Sequence, residues 1–207
     1  MIRAARTVLA LTLVGGALVA CTPDEAPPVG QPTSSAPVAS PTPPVTPSAM
    51  PSPSGSAVVD VTVAPERPDA LDAKKPSKQG AIAVSGYFWA LFPYAAATGD
   101  FAEWDRLADE TCKFCSGSRE QMADVIDAGG HSEGGAVTTK VVAARENAAG
   151  YSYSVAVDLV QQPSTDVDRN GAVIEDYPER KQFSSEVVLH WVDGKWLVAA
   201  VDVEEQS

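Results

Sequence analysis

The chain has 207 residues, a net charge of −12, and 14 of its 17 prolines between Cys21 and Gln79. This proline density leaves the folded core to the residues after about 79, which suffice for one domain but not for two. Because a strongly acidic protein repels phosphate backbones, the composition excludes nucleic acid as a partner.

The first 20 residues have the pattern of an export signal. Arg3 and Arg6 precede the apolar run 7–19, which at 13 residues is too short for a membrane-spanning helix of about 20. The run ends in Leu-Val-Ala-Cys21, which resembles the bacterial lipobox, whose cysteine takes a diacylglyceryl group. This resemblance implies that acyl chains such as palmitate on Cys21 hold the protein at the extracytoplasmic face of the cell membrane. An ordinary secretory signal with an unrelated cysteine is the alternative.

Residues 22–56 are predicted to form a disordered tether. They contain 11 Pro and 11 Ser or Thr, so they cannot bury enough apolar surface to fold. Proline favours extended polyproline II, as in a spacer through a cell wall, while Pro-rich docking ligands are the alternative. The alternating stretch 58–63 predicts a short strand that packs on the domain. The predicted organisation is signal peptide 1–20, lipidated Cys and linker 21–78, and domain 79–207.

A long helix is predicted at the start of the domain. Apolar residues recur at three- and four-residue spacing and predict a helix over 79–97, with Gly99 beyond its end. Pro93 predicts a kink within it. An aromatic cluster on this helix is expected in the core, with a ligand cage as the alternative; it comprises Tyr87, Phe88, Trp89, Phe92 and Tyr94.

Two shorter helices are predicted to follow. Asp100 and Glu103 have the spacing of a capping box for a helix over 101–108. Ser118 and Gln121 have the same spacing and predict a third helix over 119–128.

The second half of the domain has the two-residue period of β-strands. Four antiparallel strands are predicted within 137–143, 151–159, 183–191 and 196–200. Asp193-Gly194 predicts a tight turn between the last two strands, whereas residues 162–180 predict a long polar connection. Three helices followed by a meander predict an α+β fold with the helices on one face of the sheet.

Four segments carry a resemblance to a known family. They are the Trp89 to Asp100 region, Cys112-Lys-Phe-Cys115, the Gly-rich stretch 129–135 and Trp191 to Trp196. They resemble an uncharacterised family of actinobacterial lipoproteins over residues 79–203. That family is similar in fold to the cystatin-like cone of nuclear-transport-factor-two-like or SnoaL-like proteins, which implies a curved sheet around the helices and a pocket. The resemblance implies no activity and no cofactor.

Cys112 and Cys115 are predicted to form a disulfide, because disulfides persist outside the cell membrane. A redox pair and half of a zinc site are the alternatives. Thioredoxin-like chemistry requires a preceding parallel strand, and zinc would need His131 and His190, which have no paired spacing.

The polar connection contains a weak candidate calcium loop. Asp166, Asp168 and Asn170, followed by Gly171, match the first half of an EF-hand loop, but Tyr177 stands where a bidentate Glu is required. A solvated hairpin tip with an Asn-Gly turn is the alternative.

His190 is the candidate for general acid/base chemistry. Alternation places it on a strand face with Glu186, where Asp158 or Asp202 from other strands would complete a titratable set. The same alternation is typical of a face that points to solvent.

Two functions follow. The first is a lipid-anchored, non-catalytic module that binds an envelope protein or cell-wall component through the cone mouth or the acidic loop 163–180. The second is a pocket that binds a small molecule or acts as an enzyme through His190.

Overall fold

The computed structural model describes residues 59–206, which form a mixed α/β unit with three α-helices and two antiparallel sheets. Cys21 and the predicted tether lie outside these residues. The helices are α1 (Lys78–Thr98), α2 (Ala102–Leu107) and α3 (Lys113–Asp127), preceded by a short 3-10 helix over Asp69–Asp72. The strands are β1 (His131–Gly134), β2 (Val137–Ala148), β3 (Ser152–Gln161), β4 (Ser164–Val167), β5 (Val173–Tyr177), β6 (Lys181–Val192) and β7 (Lys195–Glu205).

Helix α1 has defined caps at both ends. The Ser77 hydroxyl accepts a hydrogen bond from the Gly80 amide at 3.0 Å, and Gly99 ends the helix in the left-handed conformation at φ 71°. The helix continues through Pro93, which is buried. Its length and apolar composition would suit a membrane span, but most of it is buried as the core helix of this unit.

Helix α3 begins six residues before the predicted start at Arg119, at Lys113. Cys112 caps it, since its Sγ accepts a hydrogen bond from the Cys115 amide at 3.2 Å. The predicted cap Ser118 is therefore a buried residue in the middle of the helix. Asp100 does act at the start of α2, where its Oδ1 accepts from the Ala102 amide at 3.1 Å.

The large sheet has the order β2-β3-β6-β7, in which each strand is antiparallel to its neighbours. The four predicted strands are confirmed. The Asp193-Gly194 turn is confirmed as well: both residues have positive φ, 50° and 77°, as a type I′ turn requires.

The small sheet has the order β1-β4-β5 and was not expected. The connection predicted over 162–180 has the expected bounds, because β3 ends at Gln161 and β6 begins at Lys181, but it contains β4 and β5, where no strand was predicted. Gly130 allows the chain to enter β1 from α3, because a Cβ there would lie 2.2 Å from the Val167 carbonyl oxygen on β4. Residues 171–180 of the β4–β5 hairpin are all exposed.

One hydrophobic core contains buried residues of the three α-helices and of strands β3, β6 and β7. Its largest fully buried side chains include Phe88, Trp104 and Trp196. Leu71, in the 3-10 helix, belongs to the same core, and Trp196 Nε1 donates a hydrogen bond to the Ala70 carbonyl at 3.0 Å. The packed unit therefore begins before the predicted boundary at residue 79.

The strand predicted over 58–63 is wrong for the residues that the structure describes. Residues 60–63 form a turn in which the Val63 amide donates to the Asp60 carbonyl at 3.3 Å. Val59 and Val63 are exposed. The Asp60 side chain accepts from the Thr62 amide and hydroxyl, which stabilises the turn instead of a strand.

Candidate functional site

A cavity of about 350 Å³ opens between α1, α3 and one end of the large sheet. The small sheet and the β4–β5 hairpin border its mouth. The lining residues are Phe92, Ala96, Ser118, Gln121, Met122, Val125, Ser132, Gln161, Gln162, Ser164, Asp166, Tyr177, Glu179, Lys181, Phe183 and Glu205. Its volume falls within the range of about 300–1,000 Å³ that small-molecule sites occupy.

Helix α3 lines the cavity with one face. Ser118, Gln121, Met122 and Val125 are spaced three and four residues apart, so they lie on the same side of the helix. Ser118 and Met122 are only 8% and 7% exposed. The helix therefore offers one buried hydroxyl and one amide to the cavity on a largely apolar surface.

The large sheet provides the opposite wall. In the strand register Gln161 lies opposite Lys181, and Phe183 lies opposite both Leu159 and Glu205. Because alternate residues of a strand share a face, these side chains continue the inner face of the sheet beyond the core. Along β6 this face changes from apolar Phe183 to charged Lys181 at the mouth.

A second chamber of about 230 Å³ adjoins the main cavity and shares Phe92, Ser118, Gln121, Gln161 and Phe183 with it. The remaining lining residues are apolar, namely Trp89, Phe114, Val137, Leu159 and Val203. Trp89 and Phe114 meet edge to face, with ring centroids 5.5 Å apart. The chamber thus has an aromatic and aliphatic wall with a few neutral polar groups.

The mouth carries more negative than positive charge. Asp166, Glu179 and Glu205 line it together with one cation, Lys181. Lys181 Nζ pairs with Glu205 Oε2 at 3.1 Å, and Asp166 accepts a hydrogen bond from the Ser132 hydroxyl.

Tyr177 at the mouth is a neutral donor under ordinary conditions. Desolvation, followed by the hydrogen bond and charge of Glu175, raises the pKa of its phenol to about 12. The phenol therefore stays protonated at neutral pH.

His190 lies away from the cavity. Its ring stacks on Tyr151, with centroids 4.7 Å apart, and its Nδ1 lies 3.3 Å from the Tyr151 hydroxyl oxygen. Hydrogen bonds from Thr111 lower the pKa of Asp109, and His190 adds a smaller electrostatic contribution in the same direction. The structure does not bring His190 to the predicted carboxylates.

Those carboxylates share the other face of the large sheet. Asp158, Glu186 and Asp202 line an open groove of about 270 Å³ together with Glu204. Glu186 accepts a hydrogen bond from Arg145 Nη2 at 2.7 Å, and lies four residues, or about 13 Å, from His190 along β6. The groove is therefore an acidic surface that lacks the predicted histidine.

Cys112 and Cys115 form a disulfide-capable pair, with sulfur atoms 2.08 Å and Cα atoms 5.2 Å apart. Both side chains are 1% exposed, which shields them from reductants and metal ions. The pair opens a helix, as in redox motifs, but α2 and not a parallel strand precedes it. Within residues 59–206 no group of three or more His, Cys, Asp or Glu side chains is placed to hold a metal ion.

The candidate calcium residues form a hairpin tip. Asp168 Oδ1 accepts from the amides of Asn170 and Ala172 at 2.8 and 2.9 Å, and the Gly171 amide bonds to the Asp168 carbonyl. The hydrogen bonds from the Ala172 and Asn170 amides to its carboxylate lower the pKa of Asp168. Asp166 lies on β4 and bonds to Ser132, so the loop does not direct its carboxylates at one point.

The residues that line the cavity were largely missed from the sequence. The helical spacing of Phe114, Ser118, Met122 and Val125 is a signal for the α3 face, but a helix predicted to start at Arg119 excludes the first two of these residues. Phe92, expected in the core, lines both the cavity and the chamber.

The chain belongs to the family of unknown function DUF6318, which matches residues 60–202. A comparison with curated proteins gives no match.

Three solved structures are similar. The intermembrane space region of the chloroplast protein ARC6 is 11% identical, with a TM-score of 0.51 over 64% of this chain and 99% of that chain. The association domain of CaMKII from C. elegans is 17% identical, with a TM-score of 0.37 over 66% and 99%. Aln2 from a Streptomyces species is 16% identical, with a TM-score of 0.37 over 64% and 94%. The likeness to the ARC6 region concerns the fold alone.

Proposed function

We propose that this member of the family of unknown function is a non-catalytic binding module of the cell envelope, whose ligand enters the cavity between α1, α3 and the large sheet. The observation that carries the proposal is the cavity of about 350 Å³ with its apolar inner chamber. Concave sites with apolar walls and a few convergent polar groups are typical of ligand binding.

The location is the second part of the proposal. The lipobox-like Cys21 would be lipidated and hold the chain at the extracytoplasmic face of the cell membrane. The Pro-rich residues 22–56 would then act as a spacer that lets the domain reach an envelope protein or a cell-wall component. The proposed fold is a cone in which three helices pack on a curved four-stranded sheet.

Binding is favoured over catalysis by the composition of the cavity. Among the described residues that line it there is no histidine or cysteine, and its carboxylates lie at the mouth rather than around the apolar chamber. His190 and the carboxylates Asp158, Glu186 and Asp202 occupy separate places on the large sheet. General acid/base chemistry requires such groups within hydrogen-bond reach of a substrate.

Calorimetric titration tests the binding function. The full chain carrying Cys21→Ser, which has no acyl chain to compete for the cavity, should bind the neutral probe 2-naphthylmethanol at one saturable site. Val203→Phe fills the inner chamber and should abolish binding, while Val142→Phe makes the same change at an exposed position on β2 and should not.

A thermal melt checks that each variant is folded, and Ser118→Leu, which narrows the cavity from α3, gives a second blocked form. Absence of binding to the Cys21→Ser chain, or equal binding by the blocked and control variants, would contradict the proposal.

The anchor requires a separate experiment in cells. Metabolic labelling with a palmitate analogue should label the wild-type chain and not Cys21→Ser, which should also lose stable membrane retention. Labelling of both forms would show that the lipid is attached elsewhere, and labelling of neither form would indicate an ordinary secretory signal.

A further inference from the structure

We infer that the ligand is an amphipathic cation: an apolar, ring-sized body held in the inner chamber, joined to a protonated amine that stays at the acidic mouth. This inference rests on the proposed binding function and specifies its ligand. It follows from the contrast between the uncharged, largely apolar chamber and the charged residues that line the adjoining cavity.

The chamber selects the apolar body. Aromatic rings from α1, α3 and β6 form part of its wall beside three aliphatic side chains, with Trp89 and Phe114 edge to face at 5.5 Å. Its volume of about 230 Å³ suits a body of one or two fused rings. Aromatic walls offer such a body both burial and ring-to-ring contacts.

The zone shared by the chamber and the cavity carries no charge. It is lined by two aromatic rings, Phe92 and Phe183, and by the polar Ser118, Gln121 and Gln161, so a ligand that reaches from one space to the other must pass them. A hydroxyl and two amides can donate and accept hydrogen bonds without favouring either charge. The charge preference is therefore decided only at the mouth.

The mouth selects a cation. Lys181 is paired with Glu205 at 3.1 Å, whereas Asp166 and Glu179 are lining carboxylates that form no ion pair among the described residues. Arg180, next to Glu179, lines an adjoining cleft and not this cavity. The Ser132 hydroxyl donates a hydrogen bond to the Asp166 carboxylate, and the whole chain, these residues included, has a net charge of −12. An anion would meet repulsion here, whereas an ammonium group would be attracted.

Three probes of equal size test the charge preference by calorimetric titration: 2-naphthylmethylammonium, 2-naphthylmethanol and 2-naphthoate. The Cys21→Ser full chain should bind the cation about tenfold more tightly than the anion, with the neutral probe between them, since two carboxylates act on one charge near a surface. Raising the salt concentration from about 20 to about 500 mM should narrow the ratio by screening.

Matched double variants locate the effect. Asp166→Asn with Glu179→Gln should reduce the ratio between cation and anion to about twofold, because the mouth then loses both unpaired charges. Asp202→Asn with Glu204→Gln makes the same change in net charge on the opposite face of the sheet and should leave the ratio near its original value.

The outcomes separate the two proposals. Equal binding of all three probes, or a ratio that falls equally in both double variants, overturns the amphipathic cation while the neutral probe still supports the binding function. Failure of every probe to bind the Cys21→Ser chain overturns both.

Discussion

The inner face of the large sheet has two halves that differ in what covers them. In the closed half, Val155, Leu189 and Val198 have no exposed surface and pack under the helices. In the open half, Phe183 and Val203 on the same strands line the chamber. Both halves have the same alternation of apolar residues. Alternation therefore specifies which face points inward, and the helix that covers the face decides whether it becomes core or cavity.

Alanine substitutions should produce the largest contrast between the halves. Leu189→Ala should lower the free energy of unfolding by about 2–5 kcal/mol, because it leaves a hole in a packed core. Val203→Ala should cost about 1 kcal/mol or less, since its side chain already borders empty volume. Denaturant unfolding of the full chain measures both, and equal costs would show that the chamber is closed in solution.

The sequence predicted the closed half well. Local sequence specifies two of its features: the two-residue period of Val187 and Leu189 on β6, and the Asp193-Gly194 turn. The open half depends on volume between segments far apart in sequence, such as Phe92 and Phe183, and no local pattern encodes that volume. The alternation places His190 on the correct strand. Its contact with Tyr151 depends on tertiary packing, which the alternation does not specify.

An unusual N-cap and two short strands account for the other differences between prediction and structure. Cysteine is not among the usual N-cap residues, so Cys112 gave no signal for the start of α3. Strands β4 and β5 have four and five residues and little apolar alternation, so their pairing with β1 was invisible to a periodicity argument.

The next largest effect is expected at the disulfide-capable pair. Replacing Cys112 and Cys115 together by Ala should cost about 2 kcal/mol, which is the chain-entropy value for so short a loop. Cys115 Sγ lies 3.9 Å from the Val198 carbonyl, so the loss falls in the closed half, and probe binding in the open half should persist. Thermal melts with and without the double substitution measure the cost.

Reduction provides the matched control for that variant. Because both cysteines are 1% exposed, mild reductant should leave the pair oxidised in the folded wild-type chain and should reduce it only once the chain unfolds. Rapid reduction of the native protein, detected by thiol alkylation and mass spectrometry, would indicate an accessible redox pair instead.

Acid should destabilise the fold through Glu103, which lies on α2. Arg106 donates to both Glu103 oxygens at 2.8 and 2.7 Å, which together with Tyr87 and Arg67 lowers the pKa of Glu103. A carboxyl whose pKa is lower in the folded state stabilises the fold above its unfolded pKa of 4.5, and loses this contribution as pH falls through the folded value. Melting temperature against pH should therefore fall less steeply below pH of about 4.5 in Glu103→Gln than in wild type.

Glu120→Gln supplies the control, since Glu120 is exposed on α3. If the melting temperature falls with the same slope below pH of about 4.5 in wild type and in Glu103→Gln, folding does not lower the pKa of Glu103.

The smallest effect is expected at the β4–β5 hairpin tip, which borders the open half. Calcium should leave the melting temperature of the full chain unchanged within about 1 °C, because Asp168 already accepts from two backbone amides of its own turn. A site with a dissociation constant near 1 mM would instead add about 1.4 kcal/mol at about 10 mM calcium, or several degrees for a domain of this size. Magnesium and the Asp168→Asn variant are the controls. A rise of that size with calcium, absent in both controls, would show that the loop rearranges to hold the ion. The bound ion would then reduce the negative charge at the mouth of the cavity.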